Sequence, residues 1–237
     1  MRKAELNIEK LKEAFEKKIY FQTNDIFSFY QSFDSLVAKS TIECRIRSLI
    51  KKGIIQRIGH GKYKFGSEII YRPLISVKSK KINNFMMINF PYLKYIVWHI
   101  GEINHFSQHL INIDTYYVEV EKDAVDSVFA RLREKYKYVL KGKFNQDVYF
   151  GESVIVVRSL VTGAPTQLVT NVPTTTIEKL LVDLFCDEEF DFVHGNEMSH
   201  IFNNAFSKCT INIDRMLRYA SRKGKRNILA DYIKTIN

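Results

Sequence analysis

The stretch STIECRIRSLIKKGIIQRIGHGKYKF, Ser40 to Phe65, decides how the first third of this chain folds. Ile42, Ile46, Leu49 and Ile50 follow i, i+4, i+7, i+8, the apolar stripe of a helix with one face against a core. At about 100° per residue, Ser40, Thr41, Cys44, Arg47, Ser48 and Lys51 fall on the opposite face. Arg45 and Lys52 lie at its edge and Glu43 to the side. Gly53 stands where a left-handed residue closes a helix. Ile54 to Ile58, Gly59-His60-Gly61 and Lys62 to Phe65 then spell strand, glycine turn, strand. Upstream, Leu6, Ile8, Leu11, Ala14, Phe15 and Ile19 recur at near-helical spacing. Thr23-Asn24-Asp25 offers capping oxygens for a second helix through Ile26, Phe27 and Tyr30, and Ser35 or Ser40 can cap the third. Three helices and a glycine-turned hairpin predict a winged helix-turn-helix over residues 1–75.

The charge of the chain sits on this same part. Residues 1–82 hold 18 Lys+Arg against 8 Asp+Glu, and residues 83–237 hold 18 against 18. The whole excess of +10 therefore belongs to the first third. A local positive field steers a protein toward polyanions, which makes double-stranded DNA the expected partner. Small residues let a helix approach the floor of the major groove. There Arg45 and Arg47 can reach guanine O6 and N7, and Ser and Thr can bond base edges or phosphates. Arg57, His60 and Lys62 on the hairpin are the expected contacts to phosphate or the minor groove. Charged outer faces are commonly just solvated, and some winged helices bind proteins. The combination of helix spacing, basic hairpin and regional charge favours DNA over both.

Composition bounds the rest. A chain of 237 residues suits one large domain or two ordinary ones. With 46% hydrophobic residues, 17 Phe and 13 Tyr, packed cores are affordable and disorder is excluded. Cys44, Cys186 and Cys209 are odd in number and lack CxxC spacing, which fits a reducing compartment. Met1 to Glu5 leads into charged helix without an apolar signal core, and no apolar run approaches the roughly 20 residues of a membrane span. The expectation is a cytoplasmic protein with no membrane partner.

Pro73 and Lys78-Ser79-Lys80-Lys81 mark a boundary, and residues 83–237 read as a second, α+β domain. Tyr92 to Trp98, Tyr116 to Val120, Val139-Leu140, Val148 to Phe150 and Val154 to Val157 have strand character. Glu102 to Leu110 reads as a short helix, and Val125, Val128, Phe129 and Leu132 keep helical spacing. From about residue 173 the pattern is helical. Thr174-Thr175-Thr176 with Glu178 supports a cap, and Met198–Phe206, Ile213–Ala220 and Ile228–Ile236 follow. The fold class is α+β: a winged helix-turn-helix, then a mixed α/β domain ending in a helical subdomain.

No GxGxxG, P-loop, GxSxG or HExxH is present, and neither catalytic residues nor a cofactor nor a metal is expected. Asp114 with Glu119-Val120-Glu121-Lys122 invites a nuclease reading, but the spacing fails. The residue two before Lys122 is Val120, and adjacent Glu121 and Lys122 face opposite sides of a strand. The stretch reads instead as a solvent-exposed strand end. His105 and His109, four apart, could share a metal if helical; without a third ligand they read as polar surface. Asp187 to Asp191 reads as a solvated acidic loop. Arg215, Arg218 and Arg222, at i, i+3, i+7, form a stripe that either meets a second phosphate-bearing surface or is solvated.

The two parts together resemble the AbiEi-type antitoxin regulators. Ile55-Gln56-Arg57-Ile58-Gly59-His60-Gly61-Lys62-Tyr63 is similar to that family's hairpin. Val172-Pro173-Thr174 followed by Ile177-Glu178-Lys179-Leu180-Leu181-Val182-Asp183-Leu184 is similar to a carboxyl-terminal helix, and Arg218-Tyr219-Ala220-Ser221-Arg222 to a segment of the last helices. The likeness is weak over residues 82–167. It implies a cytoplasmic bacterial regulator, the antitoxin of a type IV toxin–antitoxin system. Such a regulator represses its own operon through an upstream operator and counters a nucleotidyltransferase-like toxin without needing to bind it. It also implies that Glu178 and Lys179 form a structural ion pair at a helix start. Two other classes stay open on the residues alone: a nuclease or nucleotidyltransferase whose basic part delivers nucleic acid, and a protein-binding winged helix.

Overall fold

The computed structural model describes residues 6–66, 70–144 and 151–236, so the strand expected at Val148 to Phe150 lies outside them. The amino-terminal body runs α1 (Ile8–Phe15), β1 (Phe21–Gln22), α2 (Thr23–Gln31), α3 (Lys39–Lys51), β2 (Ile55–Gly59) and β3 (Lys62–Phe65). Its three strands are antiparallel in the order β1-β3-β2. Leu11, Phe21, Ile26, Tyr30, Ile42 and Leu49 are buried in its core, where the Phe15 and Phe21 rings stack at 4.8 Å. Ile42, Ile46 and Leu49 form the buried stripe of α3, whereas Ile50 is 38% exposed. The caps agree with the expected ones in part: Asp25 supplies an oxygen on α2, accepting from the Gln22 N–H at 2.7 Å, whereas neither Ser35 nor Ser40 caps α3. Gln22 and Asp25 close a reciprocal capping box on α2, and α3 starts after Ala38 without a side-chain cap. Gly53 and Gly61 both take positive φ, 67° and 64°, at the helix stop and the hairpin turn.

The second body is a mixed α/β layer structure. Its elements are α4 (Val77–Asn89), β4 (Tyr95–His99), a 3₁₀ turn (Ile100–His105), β5 (Thr115–Val120), α5 (Val125–Arg133), β6 (Val139–Lys141) and β7 (Val154–Ser159). After them come β8 (Thr166–Val169), β9 (Val172–Thr175), α6 (Ile177–Cys186), a 3₁₀ turn (Glu188–Val193), α7 (Asn196–Lys208), α8 (Ile213–Arg222) and α9 (Arg226–Thr235). The central sheet has the order β4-β5-β7-β6. β4 runs antiparallel to β5, and β5, β7 and β6 run parallel. Strand alternation sends Tyr116, Val118, Val120, Ile155 and Val157 into the core beneath α4 and α5. Trp98, Tyr117, Val154 and Val156 go to the opposite core, beneath α6 to α9. With both faces covered, every residue of β5 is buried.

Three expectations are corrected here. Lys78 to Lys81, read as marking the boundary, form the first turns of α4, where Ser79 and Ile82 are buried, so the second body's first helix already begins at Val77. Glu102 to Leu110 is not a helix, because only the 3₁₀ turn at Ile100–His105 forms. The chain is not wholly helical from residue 173: β8 and β9 form a hairpin first, turning on Thr170 and Asn171 with φ of 46° and 63°.

Candidate nucleic-acid interface

Ile42, Ile46 and Leu49 anchor α3 in the core, so its other face is turned to solvent. Ser40, Thr41, Cys44, Arg47 and Lys51 are exposed, and Ser48 is half-buried. Arg47 donates from Nη2 to Cys44 Sγ at 3.3 Å. Among the described residues no carboxylate lies within ion-pair distance of Arg47 or Lys51. Arg45 is placed differently. Its guanidinium lies 4.7 Å over the Tyr30 ring, and its buried Nε has no hydrogen-bond partner. Tyr30 in turn donates to the Leu6 carbonyl at 2.8 Å. Burial pushes the Tyr30 hydroxyl up to about 12, against the opposing effect of Arg45. Arg45 therefore braces α3 on α2, and Arg47 is the free guanidinium of the pair.

The hairpin is not a free arm, since it is docked on the second body. Asp214, in the first turn of α8, accepts from the His60 N–H at 2.5 Å through Oδ2 and from Lys62 Nζ at 2.6 Å through Oδ1. Burial pushes the Asp214 carboxyl up, but those two donors outweigh it and hold it below its ordinary value. Lys64 donates to the carbonyls of Phe206 and Cys209 at 3.3 and 2.5 Å, and Thr210 donates to Gln56 Oε1 at 2.5 Å. A Cβ on Gly59 would come within 2.5 Å of Asp214 Oδ2. Of the expected hairpin contacts, Arg57 and His60 are exposed, while Lys62 is matched by Asp214 at 22% exposure. Arg57 donates from Nε to the Gly59 carbonyl at 3.1 Å, and its Nη2 faces His60 Nδ1 at 3.4 Å.

Arg215, Arg218 and Arg222 are all exposed on α8, as their spacing predicts. They do not act as one stripe. Arg215 lies 3.9 Å from Glu178, whereas Arg218 joins Arg57, His60 and Arg226 around a cleft of about 570 Å³ at the seam between hairpin and α8.

Beneath the helices lies a charge cluster that spacing did not reveal. β5 and β7 pair Glu119 with Arg158 in register, on the face toward α6. Lys179, fully buried, donates to Glu119 at 2.7 Å and to Asp183 at 2.5 Å. Arg158 reaches Glu119 at 2.9 Å, Asp183 at 3.4 Å and Asp187 at 3.3 Å, and also pairs with Glu189. Lys223 bridges Asp183 and Asp187 at 2.7 and 2.5 Å, and Tyr219 donates to Asp183 at 2.7 Å. For Glu119 and Asp183, burial raises the carboxyl but is outweighed by Lys179 and the other cations, so both are held below their ordinary values. Glu119 is thus no solvent-exposed strand end, and Asp187 to Asp191 is no freely solvated loop. Lys179 does not pair with its neighbour Glu178, whose carboxylate accepts from the Asn212 N–H at 3.0 Å. The cluster floors a second cleft of about 670 Å³, bordered by Lys122, Lys141 and Lys143. His105 and His109 do not share a helix face, since the 3₁₀ turn ends at His105; His109 pairs with Glu197 at 2.7 Å.

The chain belongs to a protein family of unknown function, DUF6577, whose model matches residues 41–237. That stretch takes in most of α3, the hairpin and the whole of the second body. No curated protein matches the chain. No helix is long and apolar enough to cross a membrane among the described residues.

Proposed function

We propose that this protein is a sequence-specific DNA-binding regulator whose amino-terminal body is a winged helix-turn-helix, with α3 as recognition helix and β2–β3 as wing. The observation that carries the reading is the solvent face of α3. Small side chains flank Arg47 and Lys51, which lack carboxylate partners, on an amino-terminal body whose residues 1–66 hold 14 Lys+Arg against 7 Asp+Glu. A helix of that profile fits a major groove, and a free guanidinium suits bidentate contact to guanine. The resemblance to AbiEi-type antitoxins supports a more particular role: repression of its own operon from an upstream operator, opposite a nucleotidyltransferase-like toxin. In this reading the chain carries no catalytic residues or cofactor and works in the cytoplasm. Arg47→Ala tests it. The loss should be about 1–3 kcal/mol of binding to the preferred duplex, with relaxed sequence preference, measured by fluorescence anisotropy against preferred and scrambled duplexes. Unchanged affinity and preference would remove α3 from the groove.

A further inference from the structure

The cleft at the hairpin–α8 seam has the features of an anion site. Arg57, His60, Arg218 and Arg226 line it together with Asn212 and Asp214. Asp214 is the sole carboxylate among those residues, and both of its oxygens are engaged, by Lys62 and by the His60 N–H. Its charge is offset at the wall. Among the described residues, Arg57, Arg218 and Arg226 have no carboxylate within 4 Å. Arg218 acts on Asp214 through space as well, so one carboxylate faces three guanidiniums and Lys62; an excess of positive charge of this kind is stabilised by a ligand carrying negative charge. Arg57 is already oriented, by the Gly59 carbonyl and the His60 ring. Arg226 adds a second observation. It is the first residue of α9, follows Lys225 at the cap, and no acidic residue lies in the first turn. Helix starts favour acids because the peptide dipoles leave positive potential there; basic residues at that end add to the potential and favour an anion supplied from outside.

We infer that this cleft binds phosphate groups, held between the guanidiniums of the hairpin and those of α8 and α9. Two sources share that chemistry. One is the backbone of the DNA proposed to lie on α3, whose footprint then runs over the wing onto the second body; the other is a free phosphorylated molecule. The first source rests on the function proposed above, and the second does not.

The test uses the full chain with Arg218→Ala/Arg226→Ala, and Arg57→Gln as an independent variant on the other wall. All three side chains are exposed, so the fold should persist. Duplex binding is followed across a salt series, and thermal melting with and without pyrophosphate at matched ionic strength. Backbone phosphate in the cleft predicts roughly tenfold weaker binding of every duplex by the double variant. The slope of log affinity against log salt should be shallower by about two, since each phosphate contact contributes about 0.9. A free ligand predicts instead that pyrophosphate raises the Tm of the wild type and not of the variants, with the duplex slope unchanged. Wild-type behaviour of both variants in both arms would overturn the inference. Loss of duplex affinity in Arg47→Ala alone would leave the recognition helix standing without this cleft, and the converse would leave the cleft standing without the helix.

Discussion

Arg45 and Arg47 stand two positions apart on one helix, and the structure gives them different work. Periodicity placed both at or near the outer face, and 200° of helix turn separates them, by about 100° per residue. The Tyr30 ring under Arg45, which decides its role, lies on another element and leaves no mark in the α3 pattern. Arg45→Ala should therefore lower thermal stability by about 0.5–1 kcal/mol, the size of a partly exposed cation–π contact. Arg47→Ala should leave the melting curve alone and act on DNA binding. Lys179 shows the same limit of sequence more sharply. Its neighbour Glu178 is the obvious partner by proximity, yet its Nζ meets Glu119, 60 residues away, and Asp183, one turn on. Lys179→Met would take the fully buried cation from Glu119 and Asp183 and leave them to Arg158 and Lys223, and a loss of up to about 3–5 kcal/mol is expected in denaturant unfolding. A loss below 1 kcal/mol would mean that the cluster is hydrated and loosely held.

At the scale of elements, strongly periodic segments were legible and context-dependent ones were not. α3, α6, α8 and the hairpin β2–β3 announce themselves through apolar stripes and glycine turns. The β8–β9 hairpin does not, because its turn uses Thr170 and Asn171 at positive φ in place of glycine. The seam was hidden for another reason: Asp214 and Gly59 are 155 positions apart in the chain, and their approach depends on how the two bodies pack. Gly59→Ala forces a Cβ against Asp214, so the hairpin should lift from α8. The expected result is a lower Tm together with weaker Lys62–Asp214 coupling in a double-mutant cycle, whose wild-type value should fall within about 0.2–1 kcal/mol for a pair that stays partly exposed. Glu102, in the turn after β4, is governed by burial. Its carboxylate accepts from the Tyr71 hydroxyl at 3.0 Å and the Leu74 N–H at 3.3 Å, and burial outweighs both to raise its pKa. A carboxyl raised on folding contributes stability below its unfolded pKa and loses that contribution as pH rises through the folded value. Glu102→Gln should thus raise Tm at pH 7–8 and make little difference at pH 4. Glu119 and Asp183, both depressed, have the opposite sign: their stabilisation is present above the ordinary carboxylate range and is lost as pH falls through it and below.

For the whole molecule, the decisive relation is between a strongly basic amino-terminal body and a second body of nearly balanced charge that carries its own arginines to the junction. The hairpin is fixed to the second body by Asp214 of α8, by Lys64 on the carbonyls of Phe206 and Cys209 at the end of α7, and by Gln56 with Thr210 just after it. Under the proposed function, a duplex lying along α3 would therefore meet a hairpin held against the second body. Charge partition marked the first body as the expected interface, because charge is a property of composition. The second body is nearly balanced, with 21 Lys+Arg against 18 Asp+Glu over residues 77–237, and gave no such signal; its cationic seam exists only once folding brings Arg57, Arg218 and Arg226 to one cleft. Under the proposed function this surface recognises particular DNA. The direct measurement is binding of the purified full chain to its own upstream DNA and to a scrambled duplex of equal length, each across a salt series. Tighter binding to the upstream fragment is expected at every salt concentration, with a steep salt dependence for both. Equal and weak binding to the two would contradict it, reducing the basic body to nonspecific capture of nucleic acid.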